Sequence, residues 1–143
     1  MLMVTPNFHF NGQCGEAIEL YQKVFGAQVT ERLCYAEADP RDVAAADEEK
    51  DLVYHAEMFI GNQRVFLSDI IDATFPRGNS LSLVVTFETA DDVKAAFAAM
   101  ADGAVVICPM KRSTYSACFV SFIDKYGMRW ELMTEGTEGT EGT

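Results

Sequence analysis

Apolar and polar positions along the chain alternate in short runs, and a longer period interrupts them twice. Residues 4–10 read as a strand with Phe8 and Phe10 on one face. Asn11 then stands where a helix N-cap belongs, and Cys14, Ala17, Ile18, Tyr21, Val24 and Phe25 fall on one helical stripe. Gly26 supplies the left-handed residue that ends such a helix. Residues 28–36 read as a second strand, and 53–60 with 64–70 read as a hairpin around Gly61-Asn62-Gln63. Between them, 37–51 combines Pro40, many acids and an alanine run, which suits a loop with one helical turn. Its length leaves three roles open: a lid, a dimer contact, or a solvated loop.

The same order returns in the second half. Residues 80–87 read as a strand, and Thr89 with Asp92 three positions on resembles a capping box. Val93, Ala96, Phe97 and Met100 form a helical stripe that stops at Gly103. Strands follow at 104–108, 117–123 and 129–134, making eight in all. Gly26-Ala27-x-Val29 and Gly103-Ala104-x-Val106 punctuate the halves alike, so the pattern predicts a duplicated β-α-β-β-β unit. The expected fold is therefore α+β: two tandem βαβββ modules whose curved mixed sheets surround a half-open groove. Module one spans 1–71, a link with Pro76 and Gly78 spans 72–79, and module two spans 80–134. The Glu-Gly-Thr repeat over 135–143 has no hydrophobic face and is expected to stay disordered.

Composition narrows the function more than it names it. With 143 residues and 49% hydrophobic content, the chain suffices for about one domain with a full core. The formal net charge of −11, concentrated in 37–51 and the tail, argues against a nucleic-acid partner, because phosphate binding needs basic clusters. Cys14, Cys34, Cys108 and Cys118 show no paired spacing, which fits free thiols in a reducing compartment. With no leader-like or membrane-spanning run, a soluble cytoplasmic protein is expected.

A few side chains carry candidate chemistry. His55, Glu57 and Phe59 share one strand face, so His55 and Glu57 read either as a base with an orienting carboxylate or as two metal ligands. A half-exposed histidine bonded at a sheet end is the plainer alternative. Glu131 lies between Trp130 and Leu132, whose phase faces the helix, so its carboxylate should face the groove. A carboxylate in a partly apolar groove requires a partner or solvent, and both a ligand site and a structural pair with Arg129 stay open. Asp69 at its strand end reads as a ligand, a cap or, most plainly, a turn-forming residue, His9 as packed or exposed, and Trp130 as core. Met110, Ser113, Thr114 and Tyr115 fall in the loop before the seventh strand, where they would close over a ligand or lie on the surface.

Several motifs carry a family likeness. They are Pro6-Asn7-Phe8-His9-Phe10-Asn11-Gly12 with Glu16-Ala17 and Tyr21-x-x-Val24-Phe25-Gly26, then His55-Ala56-Glu57 leading to Ile60-Gly61. Phe66-Leu67-Ser68-Asp69 and Asp124-Lys125-Tyr126-Gly127-Met128-Arg129-Trp130 follow in order. Together they resemble vicinal-oxygen-chelate proteins, the glyoxalase, bleomycin-resistance and dioxygenase superfamily. The closer likeness is to the PhnB-like subgroup often labelled 3-demethylubiquinone-9 3-methyltransferase. The resemblance implies a homodimer and a small-molecule site between the sheets. Phe8, Phe10, Ser68, Ser80, Ser82, Met110 and Tyr115 would line that pocket.

In glyoxalase-type members a divalent metal takes ligands from the first and last strands of each module. The corresponding positions here are Glu131, Pro6, Ser80 and either Phe66 or Ser68, so only Glu131 supplies a strong ligand. Three functions follow. The first is a small-molecule-binding protein of the resistance or sequestration kind. The second is a metal-dependent lyase or isomerase centred on Glu131 with His55 or Glu57, and the third is a non-catalytic structural dimer. Methyl transfer lacks its usual glycine-rich loop, since Gly12 stands without companions.

Overall fold

The computed structural model describes residues 1–71 and 78–137. The chain divides into two compact units, Met1–Phe75 and Pro76–Thr143. In the first, β1 (Asn7–Phe10) leads into α1 (Cys14–Phe25), followed by β2 (Gln28–Cys34), β3 (Val53–Ile60) and β4 (Gln63–Asp69). In the second, β5 (Leu83–Phe87) leads into α2 (Ala90–Met100), followed by β6 (Val105–Lys111), β7 (Phe119–Ile123) and β8 (Arg129–Thr134). The strand orders are β1-β4-β3-β2 and β5-β8-β7-β6. In both, the first strand of the unit runs parallel to the last, and the other neighbours are antiparallel. This is the duplicated arrangement the sequence predicts, as two mixed four-stranded sheets that do not close. Of the expected link over 72–79, only Gly78 and Asn79 lie among the described residues. No helix among those residues is long and apolar enough to cross a membrane.

Each helix buries its apolar stripe on one face of its own sheet. Cys14, Ala17, Ile18 and Tyr21 of α1 are buried, as are Phe8, Phe10, Ala56, Met58, Val65 and Leu67. The Tyr21 ring meets Phe8 edge-on at 6.3 Å, and Phe8 meets Phe10 likewise at 6.4 Å. Phe8 and Phe10, expected to line a ligand pocket, are thus core residues of the helix-covered face, 4% and 0% exposed. The reason is plain: a strand whose alternate residues are both large and apolar turns that side to the amphipathic helix. Burying each contributes roughly 2–3 kcal/mol. In the second unit Val93, Ala96 and Met100 of α2 are buried, together with Val120, Phe122, Trp130 and Leu132 of the sheet. Trp130 is core, as expected.

The helix ends show where local signals hold and where they do not. Thr89 caps α2, its hydroxyl accepting the Asp92 N–H at 3.1 Å, and Gly26 ends α1 at φ 65°. The start of α1 is different: Gln13, not Asn11, precedes the first turn and makes no side-chain cap. The cap comes instead from Asp69 at the end of β4, whose carboxylate accepts the Cys14 N–H at 2.9 Å and the Val53 N–H at 2.9 Å. Asp69 is 2% exposed, and its backbone oxygen also accepts the Tyr35 hydroxyl. Helix α2 stops at Met100 rather than at Gly103. Gly103, at φ 73°, lies in the turn beyond, where a Cβ would stand 2.6 Å from the Cβ of Lys125.

Three further segments bear on the site. Strand β6 runs to Lys111, so Met110 belongs to a strand and not to the loop expected there. Pro109 is tolerated because β6 is an edge strand that can spare an N–H. Residues 37–51 contain one 3-10 turn, Asp47–Glu49, and a second, Tyr35–Glu37, overlaps their start. The base of this loop is held by Tyr35 and Ala36, whose N–H groups donate to Leu52 and Lys50 carbonyls. At the other end of the chain Gly136 bridges Ser116, so the Glu-Gly-Thr repeat begins paired; residues 138–143 lie outside the described residues.

Candidate functional site

Alternation along β8 separates two kinds of side chain. Trp130, Leu132 and Thr134 are buried beneath α2, while Arg129, Glu131 and Met133 point to the face away from it. The Glu131 side chain is 21% exposed. Its Oε2 accepts a hydrogen bond from the Ser82 hydroxyl at 3.1 Å. Arg129 Nη2 stands 3.8 Å from the same oxygen, a loose pair, while Arg129 Nη1 donates to the Asn79 carbonyl at 2.6 Å. The arginine is therefore bound chiefly to backbone, and the carboxylate is only partly satisfied.

Register fixes what flanks it. Val84 of β5 pairs with Glu131 on one side, Ser121 of β7 on the other, and Cys108 of β6 pairs with Ser121 beyond. Directly paired residues of neighbouring strands share a face, with Cβ atoms about 4.5–5.5 Å apart. Ser121 is 2% exposed, yet its hydroxyl has no hydrogen-bond partner among the described residues, and neither has Arg129 Nε. Two orphaned polar atoms beside one half-satisfied carboxylate are unusual, since buried polar groups are nearly always paired. Ser121 was not a sequence candidate. The signal that could have found it is a lone hydroxyl between Val120 and Phe122 in an otherwise apolar strand.

The other second-unit candidates are spread out. Ser82 joins Glu131 directly, whereas Ser80 is exposed and precedes β5. Met110 is half-buried on β6. Tyr115 is exposed, its ring edge-on to Phe119 at 6.1 Å.

In the first unit the helix-averted face is saturated by its own contacts. Glu57 accepts from the Thr30 hydroxyl at 2.7 Å and pairs with Arg64 at 3.5 Å. Arg64 also donates to Thr5 at 2.8 Å and lies over the Phe66 ring at 4.8 Å. His55 packs edge-on against Phe66 at 4.9 Å. Its nearest carboxylate is Glu31 at 3.5 Å, not Glu57, so the expected His55–Glu57 couple is not formed. The bulge in β2 around Thr30 is responsible, bringing both Thr30 and Glu31 opposite Glu57. Ser68 is occupied with His9 at 3.2 Å.

The repeat allows the two units to be compared position by position. Phe10 pairs with Asp69 as Phe87 pairs with Thr134, which makes Phe66 the counterpart of Glu131 and Thr5 the counterpart of Ser82. The carboxylate position is thus an aromatic ring in the first unit. Among the described residues no three His, Cys, Asp or Glu side chains are grouped to hold a metal ion. A guanidinium stands beside Glu131, and Phe66, its counterpart in the first unit, offers no ligand atom, so the donors present do not fit the metal centre the resemblance implies. The buried thiols are also poor nucleophiles. Burial, with Asp69 adding, pushes Cys14 well above the ordinary thiol range, and burial raises Cys118.

A family model described as 3-demethylubiquinone-9 3-methyltransferase matches residues 3–133. The chain belongs to this 3-demethylubiquinone-9 3-methyltransferase family. Among solved structures, protein PA1353 from Pseudomonas aeruginosa is 26% identical with a TM-score of 0.81, covering 94% of this chain and 98% of that one. The PhnB protein from Bacillus cereus is 24% identical with a TM-score of 0.79, covering 93% and 99%. A glyoxylase/bleomycin resistance protein/dioxygenase domain from Frankia sp. EAN1pec shares the fold at 14% identity, with a TM-score of 0.66 over 99% and 96%. The fold is the one seen in that glyoxylase/bleomycin resistance protein/dioxygenase domain. The family's description names a methyl transfer, yet the β1–α1 connection has Gly12 alone, and the first N–H of α1 is taken by Asp69.

Proposed function

We propose that this 3-demethylubiquinone-9 3-methyltransferase family member is a small-molecule-binding protein that anchors its ligand at Glu131. The observation carrying this reading is a carboxylate with one structural hydrogen bond, a loose ion pair and a neighbouring hydroxyl without a partner. A carboxylate serving stability alone would be expected in a fuller set of bonds. No reactive centre is required by this reading: the first-unit candidates are engaged elsewhere, Glu57 by Thr30 and Arg64 and His55 by Glu31. Within the superfamily it corresponds to the resistance or sequestration type rather than to the lyases.

The test is Glu131→Gln, an isosteric change. Ligand-observed magnetic resonance with a library of small polar aromatics should give hits on the parent protein that weaken about tenfold or more in the variant, as loss of a charged hydrogen bond predicts. The melting temperature should move little. A variant that melts markedly lower while keeping its hits would make Glu131 structural and end the proposal. Elemental analysis serves the alternative: about one tightly held transition metal per chain would restore the metal-dependent lyase.

The same reading includes a homodimer. Strand β6 is a sheet edge on which Val105, Val106 and Ile107 are all exposed, and such an edge favours pairing with a second copy.

A further inference from the structure

The polar atoms left over around Glu131 form a set, and the set has a chemical complement. Ser82 bonds Oε2 of Glu131, which leaves Oε1 as the acceptor offered to a ligand. Ser121 Oγ both donates and accepts, and Arg129 Nε–H donates; each lacks a partner among those residues. The formal charges of Glu131 and Arg129 cancel locally, at 3.8 Å. An anionic ligand would meet the carboxylate, and a cationic one would meet the guanidinium. Either would bring a charge to a place where Ser121 is 2% exposed, and desolvating an ion is far costlier than desolvating an amide.

We propose that Ser121, together with Glu131, recognises a neutral head group that donates and accepts at once, a carboxamide or a hydroxyl, on an apolar body. This rests on the reading of Glu131 as the ligand anchor and adds the ligand's class. An amide N–H would reach the Glu131 carboxylate, and its carbonyl, on displacing the side chains that cover these two atoms, would accept from Ser121 Oγ and Arg129 Nε. The body would lie along the apolar positions of the same face, which register gives as Val84, Met133, Phe119 and Ile123. A free hydroxyl at Ser121 is then a donor held in reserve: unpaired without ligand, satisfied with it.

The experiment uses four probes with one ring and different heads, titrated into the full chain by magnetic resonance: benzamide, benzyl alcohol, benzoate and benzylamine. Benzamide and benzyl alcohol should bind about tenfold more tightly than the charged pair. Ser121→Ala should weaken benzamide about tenfold while its melting temperature holds or rises, since removing an unsatisfied buried hydroxyl relieves the folded state. Ser121→Cys, close in volume with a weaker donor, should fall between. Tightest binding by benzoate or benzylamine, lost in Glu131→Gln, would overturn the neutral class and leave the anchor standing. Benzamide binding unchanged in both Ser121 variants would overturn the role of Ser121. Silence from all four probes together with an unresponsive Glu131→Gln would overturn both readings.

Discussion

Asp69→Asn isolates the clearest long-range device in the first unit. The carboxylate accepts two backbone N–H groups, Cys14 at the start of α1 and Val53 at the start of β3, each at 2.9 Å. An asparagine of the same shape has one acceptor oxygen and one amide nitrogen, so one of the two donors must face another donor. Leaving a buried donor unsatisfied costs about 1–3 kcal/mol, and losing the negative charge at the helix N-terminus adds about 0.3–1 kcal/mol. The expected loss is about 1.3–4 kcal/mol, which in a chain of this size lowers the melting temperature by roughly 4–15 °C. Calorimetry measures the loss, and hydrogen exchange locates it: the Cys14 and Val53 amides should exchange faster in the variant than other core amides do. Asp39→Asn, on an exposed carboxylate, is the control and should leave melting nearly unchanged. An Asp69→Asn protein melting within about 1 °C of the parent, with both amides still protected, would refute the capping argument.

Gly103→Ala should cost about 2–4 kcal/mol, because it combines an unfavourable backbone region with a Cβ placed against Lys125. Gly61→Ala, at φ 59° with open space around it, should cost about 1–2 kcal/mol; equal losses by chemical denaturation would refute the steric part. The homodimer should sediment as such at micromolar concentration, and Val105→Glu on β6 should shift it toward monomer. A parent that sediments as a monomer would refute the dimer.

Period and punctuation made much of the fold legible. The stripes Cys14–Phe25 and Val93–Met100, the Gly61-Asn62 hairpin and the Thr89 cap are all signals confined to a few neighbouring residues. What escaped was set by residues far apart. The cap of α1 comes from 55 positions away, so Asn11 looked better placed than Asp69. The period of two put Phe8 and Phe10 on one face of β1 without saying which face α1 covers. In the site, the phase of Glu131 could be read because Trp130 and Leu132 mark the core on either side of it. The partner of His55 could not be read, since a bulge in a neighbouring strand decides it. Ser121 escaped for a similar reason: a buried serine is ordinary until its missing partner is known.

The parallel pairing of each unit's first and last strands carries a consequence for how the chain folds. Strand β1 is an edge whose single sheet neighbour is β4, and β5 depends in the same way on β8. Asn7 meets Phe66, and Leu83 meets Trp130, across nearly the whole length of the unit. The hairpin of β3 and β4 assembles from local contacts, but sealing the sheet requires closing the largest loop in the unit, whose entropic penalty grows only slowly with length yet must be met before the contact rewards it. The opening strand thus depends on the strand that ends its unit for its whole ladder of backbone bonds. In a duplicated plan of this kind the same terminal pairing closes each unit.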